Sequence, residues 1–162
     1  MSAAQKATLA PAPDSDTGAV AVLGVLVGNE AYGIPLACIR EILVPPPMTE
    51  VPRAAAHFLG VISVRGEIIT VIDLAKLLNL EVRHDELPGR VLLVDNGQEL
   101  IGVAVDRVIQ VYRLEPGQIE YASAMSADLS DYVVGLGRVQ NQPAGSSDDM
   151  LILIDPVSLL GE

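Results

Sequence analysis

Short apolar runs alternate with turn-forming residues along most of the chain. From residue 19 onward, runs rich in Val, Leu and Ile are separated by Gly, Pro, Asn and Asp, which is the pattern of short strands joined by turns. The pattern predicts strands over residues 20–27, 31–34, 40–44, 60–64, 67–72, 90–94, 100–105, 109–113, 133–139 and 150–154. The fold class is therefore all-β.

Two short helices are expected, each directly after a strand. Asp73 precedes LAKLLNL and Asp155 precedes PVSLLGE. An aspartate in that position can accept a backbone hydrogen bond as the N-cap of a helix. Pro156 then occupies the favoured first helical position of the second helix.

The chain also contains an internal repeat. Three pairs of segments match in order: EAYGIPLACIREI (30–42) with ELIGVAVDRVIQV (99–111), FLGVISV (58–64) with VVGLGRV (133–139), and TVIDLAKLL (70–78) with ILIDPVSLL (152–160). Each half supplies about five strands, which suits a small barrel filled by aliphatic side chains. We expect two pseudo-symmetric, five-stranded barrels of the SH3 or OB type, over about 19–82 and 88–162. Strand exchange between the halves stays open.

The first 18 residues differ from the rest of the chain. They carry few large apolar side chains, so burial cannot offset the entropy lost on ordering them. We predict a disordered tail over 1–18 and a folded domain over 19–162. The tail lacks the apolar segment of a secretory signal, and the lone Cys38 fits a reducing compartment. A cytoplasmic location is expected.

The charge of the chain restricts its partners. Ten Lys and Arg residues against 21 Asp and Glu give a net charge of −11, which repels nucleic-acid phosphates and anionic lipid. Aromatic residues make up only 3% of the chain, too few for stacking single-stranded bases. No apolar run reaches the roughly 20 residues of a membrane-spanning helix. We expect neither nucleic-acid binding nor direct membrane insertion.

No residue set indicates an active site. One cysteine and two distant histidines, His57 and His84, do not give a zinc spacing. The phosphate-loop, nucleophile-elbow and HExxH motifs are absent. We predict no catalytic residue, no metal ligand and no cofactor. Two alternatives stay open: a small acidic enzyme that uses a metal ion held by scattered carboxylates, and an oligonucleotide-binding barrel.

Two segments suggest a contact surface for another protein. In SVRGEIITVID, Arg65 and Gly66 form a tight turn, and the arginine projects from an acidic protein where it can bind a partner carboxylate in a bidentate way. The alternative is a plain surface turn, since turns are normally polar and exposed. In ACIREIL, an extended backbone places Ile39 and Glu41 on one face. That face is either a contact patch or an ordinary edge strand with one exposed apolar residue.

These segments together resemble the CheW family, the adaptor proteins of bacterial chemotaxis. The resemblance runs from about residue 20 to residue 160 and is carried by YGIPLACIREIL (32–43), FLGVISVRGEIITVIDL (58–74), IGVAVDRVIQV (101–111), YVVGLGRV (132–139) and MLILIDPVSLL (150–160). It implies a fold of two pseudo-symmetric five-stranded barrels, in agreement with the repeat. It also implies a non-catalytic adaptor that couples the cytoplasmic tip of a transmembrane chemoreceptor to the regulatory domain of a histidine autokinase.

The resemblance assigns contacts to particular residues. It implies that the protein is recruited to receptor arrays at the inner membrane through a receptor contact, with a separate kinase contact. The implied receptor contacts are Arg65, Gly66, Ile39 and Glu41, and the implied kinase contacts are Val108 and Gly135.

One position departs from the family pattern. The family commonly has Asn two residues before the turn arginine, and this chain has Ser63 there. Serine bonds a turn backbone more weakly than asparagine does. We expect the difference to affect which receptors are preferred.

Overall fold

The strands account for most of the structure. A computed structural model describes residues 18–78, 89–122, 132–139 and 150–156. In these stretches the elements are β1 (Val20–Val27), β2 (Glu30–Pro35), β3 (Ile39–Leu43), β4 (Phe58–Val64), β5 (Glu67–Asp73), α1 (Leu74–Leu77), β6 (Arg90–Asp95), β7 (Leu100–Val105), β8 (Arg107–Leu114), β9 (Ile119–Tyr121), β10 (Val133–Arg138) and β11 (Met150–Ile154). The all-β prediction is confirmed. The predicted tail, Gly18 excepted, lies outside the described residues.

The strands form two sheets. One has six strands in the order β8-β1-β2-β11-β10-β9, and the other has five in the order β3-β6-β7-β5-β4. Neighbouring strands are antiparallel except for the parallel pairs β2–β11 and β5–β7. The described strands pair as two sheets. Closure of each sheet into a barrel stays a prediction.

The sheets do not coincide with the two halves of the chain. Strands β1 and β2 join the six-stranded sheet of second-half strands, and β6 and β7 join the five-stranded sheet of first-half strands. The contiguous division at 19–82 and 88–162 therefore does not describe either sheet. The first hairpin of each half thus lies in the sheet of the other half, so the halves have exchanged their first hairpins.

The strand order repeats as the sequence does. The order β3-β6-β7-β5-β4 corresponds strand by strand to β8-β1-β2-β11-β10, with β9 added at the end of the larger sheet. Equivalent irregularities precede Gly60 in β4 and Gly135 in β10. An isolated bridge from Thr49 to Val61 takes the place in the smaller sheet that β9 has in the larger one.

Aliphatic side chains fill both faces of each sheet. Leu23 and Ile34 of the six-stranded sheet meet Leu92 and Val103 of the five-stranded sheet in the core between the sheets. The opposite faces hold separate clusters, Val22, Tyr112, Leu114, Leu151 and Leu153 in the larger sheet and Ile62, Ile69, Val71, Val91 and Leu93 in the smaller. Burying each of these side chains contributes about 1.5–3 kcal/mol. Burial on both faces explains why the strands are continuous apolar runs.

The predicted cap of the first helix is present. The Ala75 backbone N–H donates to Asp73 Oδ1 at 3.0 Å, which satisfies one free amide at the start of α1. Asp155 is also buried, but the helix predicted after it lies outside the described residues except for Pro156. Within the described part of the chain, no helix is long and apolar enough to cross a membrane.

Candidate functional site

The turn between β4 and β5 places Arg65 at its tip. Val64 pairs with Glu67, so the loop consists of Arg65 and Gly66 alone. Their φ angles are 48° and 86°. Positive φ at both positions is the signature of a type I′ turn, which favours Asn or Asp followed by Gly. For arginine this backbone conformation costs about 1–2 kcal/mol. The chain therefore keeps Arg65 against the local backbone preference.

Arg65→Asn should give a more stable protein than Arg65→Ala. Both variants lose the guanidinium, but asparagine tolerates positive φ and alanine does not, so we expect a difference of about 1 kcal/mol in the free energy of unfolding. Chemical denaturation of the two variants measures it. Equal stability would show that the Arg65 conformation carries no strain.

Arg65 forms a two-point ion pair with Glu41 of β3. Arg65 Nη2 donates to Glu41 Oε1 at 2.5 Å, and Nη1 donates to Oε2 at 3.4 Å. The side chains are 71% and 35% exposed. Strand β3 and the β4–β5 hairpin lie at opposite ends of the five-stranded order, so the sheet curves enough for these two long side chains to reach each other. The carboxylate expected from a partner is supplied here by the chain itself.

The pair changes the acid–base properties of both groups. The hydrogen bond from Arg65 is the main cause that holds the pKa of Glu41 below its ordinary value of 4.5. The same bond, followed by the charge of Glu41, raises the pKa of Arg65, and the charge of Glu67 adds to the effect. Glu41 is therefore ionised in the folded protein at more acidic pH than in the unfolded chain.

The wild-type protein should lose more stability than Glu41→Gln as the pH falls from about 5 to about 3. A carboxyl group with a lowered folded-state pKa stabilises the fold above its unfolded pKa of 4.5, and this contribution disappears as the pH falls through the folded value. Thermal midpoints measured across this range test the prediction. In an Arg65→Gln background, the effect of Glu41→Gln should vanish, and its persistence there would contradict the assignment to this pair.

Ile39 lies apart from this pair. A bulge at Arg40 shifts the register of β3 against β6, so that Ile39 pairs with Val94 and Glu41 pairs with Leu93. Ile39 packs against the core between the sheets, whereas Glu41 pairs with Leu93, which belongs to the cluster on the opposite face. The prediction that Ile39 and Glu41 share a face is wrong, because a bulge adds one residue to the alternation of an extended strand. A receptor contact at Ile39 stays a prediction.

A second ion pair lies on the strand that carries Glu41. Arg40 Nη2 donates to Asp95 Oδ2 at 2.8 Å, and Nη1 donates to the Ala37 carbonyl at 2.9 Å. The Gly97 N–H donates to Asp95 Oδ1 at 2.8 Å and is the main cause of the lowered pKa of Asp95. Arg40 and Asp95 were not singled out from the sequence, because 55 positions separate them.

The two predicted kinase contacts lie in the other sheet. Val108 of β8 is half-buried and packs against the core between the sheets. Gly135 of β10 is buried, and a Cβ atom there would overlap the carbonyl oxygen of Glu120 and lie 2.8 Å from the Cα of Tyr121. Gly135 thus allows β9 to approach β10. A kinase contact at either residue stays a prediction.

Ile68 is an exposed apolar residue that the sequence pattern did not reveal. Its side chain is 71% exposed in β5, and its cross-strand neighbour is Ser63. The run EIITVID shows no break that separates Ile68 from the buried Ile69 and Val71. Ser63, which stands where the resemblance leads us to expect asparagine, therefore lies beside an exposed apolar side chain close to the Arg65 turn.

In the stretches that the structure describes, no group of three or more His, Cys, Asp or Glu side chains is placed to hold a metal ion. Cys38 is half-buried, and its burial is the main cause of a raised thiol pKa. A raised pKa lowers the fraction of the reactive thiolate form.

Comparison with known proteins identifies the family. The family model of the CheW-like domain matches residues 21–162. The chain belongs to the CheW family. All six contact residues predicted from the resemblance, Arg65, Gly66, Ile39, Glu41, Val108 and Gly135, lie inside the region that matches the CheW domain.

Two curated CheW proteins and one solved CheW structure show how far the similarity extends. The chemotaxis protein CheW of Klebsiella aerogenes is 34% identical over 137 residues, 83% of this chain and 77% of the relative. That of Helicobacter pylori is 28% identical over 116 residues, 72% of this chain and 70% of the relative. The scaffolding protein TtCheW of Thermoanaerobacter tengcongensis matches with a TM-score of 0.71 at 24% identity, over 83% of this chain and 88% of its own, and so shares the CheW fold.

Proposed function

We propose that this protein is a non-catalytic chemotaxis scaffold that couples the cytoplasmic tip of a chemoreceptor to the regulatory domain of a histidine autokinase. Its membership of the CheW family, whose relatives are chemotaxis and scaffolding proteins, supports the proposal. The single observation that carries the receptor contact is the exposed Arg65–Glu41 pair. We propose that it acts in the cytoplasm and reaches receptor arrays through this contact.

Folding alone does not account for the Arg65–Glu41 pair. An exposed ion pair adds little to stability because water and salt screen it. Arg65 also occupies a backbone conformation that disfavours arginine. Strain of this kind concentrates at functional positions, where the side chain has a use that outweighs it. Recognition of a partner supplies such a use.

The proposed kinase contact involves a different part of the molecule. Val108 belongs to β8, an edge strand of the six-stranded sheet, and the neighbouring Ile109 and Val111 are exposed. Exposed apolar side chains grouped on an edge strand suit a protein contact. Because Arg65 and Glu41 belong to the other sheet, we expect receptor and kinase to bind at the same time.

Calorimetric titrations with a soluble chemoreceptor fragment and with a kinase regulatory domain test the proposal. We expect each to bind, and we expect saturation with one to leave binding of the other intact. A protein that binds neither is not such a scaffold. Thermal melts with Mg²⁺, Ca²⁺ and Mn²⁺, and a gel shift with single-stranded DNA, test the metal-enzyme and oligonucleotide alternatives, which predict a large stabilisation by one ion or a shifted band.

A further inference from the structure

The surface around Arg65 is not positively charged. The charges that act on its guanidinium are those of Glu41, which is hydrogen-bonded to it, and of the neighbouring Glu67. One positive charge and two negative charges give this group a net charge of −1. At a distance, such a surface does not attract a carboxylate, in contrast to the isolated cation that the sequence suggested.

Arg65 nevertheless has further hydrogen-bond donors. A guanidinium has five N–H donors, and two of the Arg65 donors reach Glu41. The side chain stays 71% exposed, so the other donors are open to solvent. The turn fixes the Arg65 backbone, and the two-point contact with Glu41 fixes the plane of the guanidinium. Arg65 therefore presents donors in a preset direction.

We infer that these free Arg65 donors bind a neutral hydrogen-bond acceptor of the chemoreceptor, a main-chain carbonyl or an Asn or Gln amide oxygen, and that Glu41 is the residue that positions them. This inference rests on the proposed function. A neutral acceptor suits a guanidinium whose charge is already balanced, whereas a carboxylate would meet Glu41 and Glu67 at close range. Specificity at this contact then comes from hydrogen-bond direction.

Titrations of a chemoreceptor fragment into four proteins test the inference: wild type, Arg65→Gln, Glu41→Gln and Glu67→Gln. Each is measured at about 0.05 M and about 0.5 M salt, where surface charges are weakly and strongly screened. We expect Arg65→Gln to bind at least about tenfold more weakly at both salt concentrations, because it loses donors rather than a net attraction. Glu41→Gln should bind about three- to tenfold more weakly, because the guanidinium is no longer held in place. Glu67→Gln is the matched control and should stay within about twofold of wild type.

Binding to a receptor carboxylate would change the affinities in the opposite direction. If the receptor presents a carboxylate, removal of either negative charge strengthens binding, and most strongly at low salt. Tighter binding by Glu41→Gln, or unchanged binding by it, therefore overturns the inference while the scaffold function stands. Failure of the wild-type protein to bind the chemoreceptor fragment would instead contradict the proposed function. Thermal midpoints of all four proteins show that the variants are folded.

Discussion

Arg65→Glu is expected to weaken binding of a chemoreceptor fragment by at least about 30-fold, equivalent to about 2 kcal/mol. The variant removes the guanidinium donors and places a third carboxylate beside Glu41 and Glu67. Like charges at a contact repel both each other and any acceptor on the partner. The side chain is 71% exposed, so the fold should be retained. Calorimetric titration gives the affinity, and circular dichroism checks the fold.

Arg65→Gln separates the two causes in the charge-reversal experiment. It removes the donors without adding a negative charge, so its affinity should lie between those of wild type and Arg65→Glu. Binding by Arg65→Glu within about twofold of wild type, in a folded protein, would remove Arg65 from the receptor contact. Kinase binding should be unchanged in both variants, because Val108 lies in the other sheet.

Gly135→Ala is expected to destabilise the protein by about 2–3 kcal/mol. Its Cβ atom would overlap the carbonyl oxygen of Glu120, and backbone yields far less easily than the end of a flexible side chain. The thermal midpoint should fall by roughly 5–10 °C for a protein of this size. Gly60 is the equivalent of Gly135 in the repeat, and a Cβ atom added to it would lie 2.5 Å from the carbonyl oxygen of Thr49. We therefore expect Gly60→Ala to destabilise the protein similarly.

Gly117→Ala is the matched control for the glycine experiment. An added Cβ at Gly117 meets nothing within 4 Å, so the stability should change by less than about 0.5 kcal/mol. Equal stability of Gly135→Ala and Gly117→Ala would contradict the close approach of β9 to β10. Kinase binding by Gly135→Ala should be measured below the thermal midpoint of that variant. Only there does a loss of binding report a lost contact, because above the midpoint the variant is unfolded.

Most strands could be predicted from the sequence, and their partners could not. Ten strands were placed to within two residues at each end, because their apolar runs are bounded by turn residues. Strand β9, Ile119–Tyr121, was missed because three residues are too few to show a pattern. The exchange of hairpins stayed open because the repeated halves offer each hairpin two equivalent places.

The candidate site was predicted as separate residues and not as an arrangement. Arg65 and Glu41 were both singled out, but they are 24 positions apart, and only the curvature of the sheet brings them together. The bulge at Arg40 places Ile39 and Glu41 on different faces of the sheet, and no residue type in ACIREIL predicts a bulge. Long-range curvature and a local register shift are properties of the packed sheet, so a strand-by-strand reading does not contain them.

Co-sedimentation with receptor-containing membrane vesicles tests the scaffold function most directly. Vesicles, purified histidine kinase and this protein are mixed, and the kinase in the pellet is measured with wild type, with Arg65→Glu and without the protein. We predict that the wild-type protein carries kinase into the pellet, and that Arg65→Glu leaves both itself and the kinase in the supernatant while still binding kinase in solution. Kinase that pellets equally in all three samples, or a wild-type protein that associates with neither component, would contradict the account.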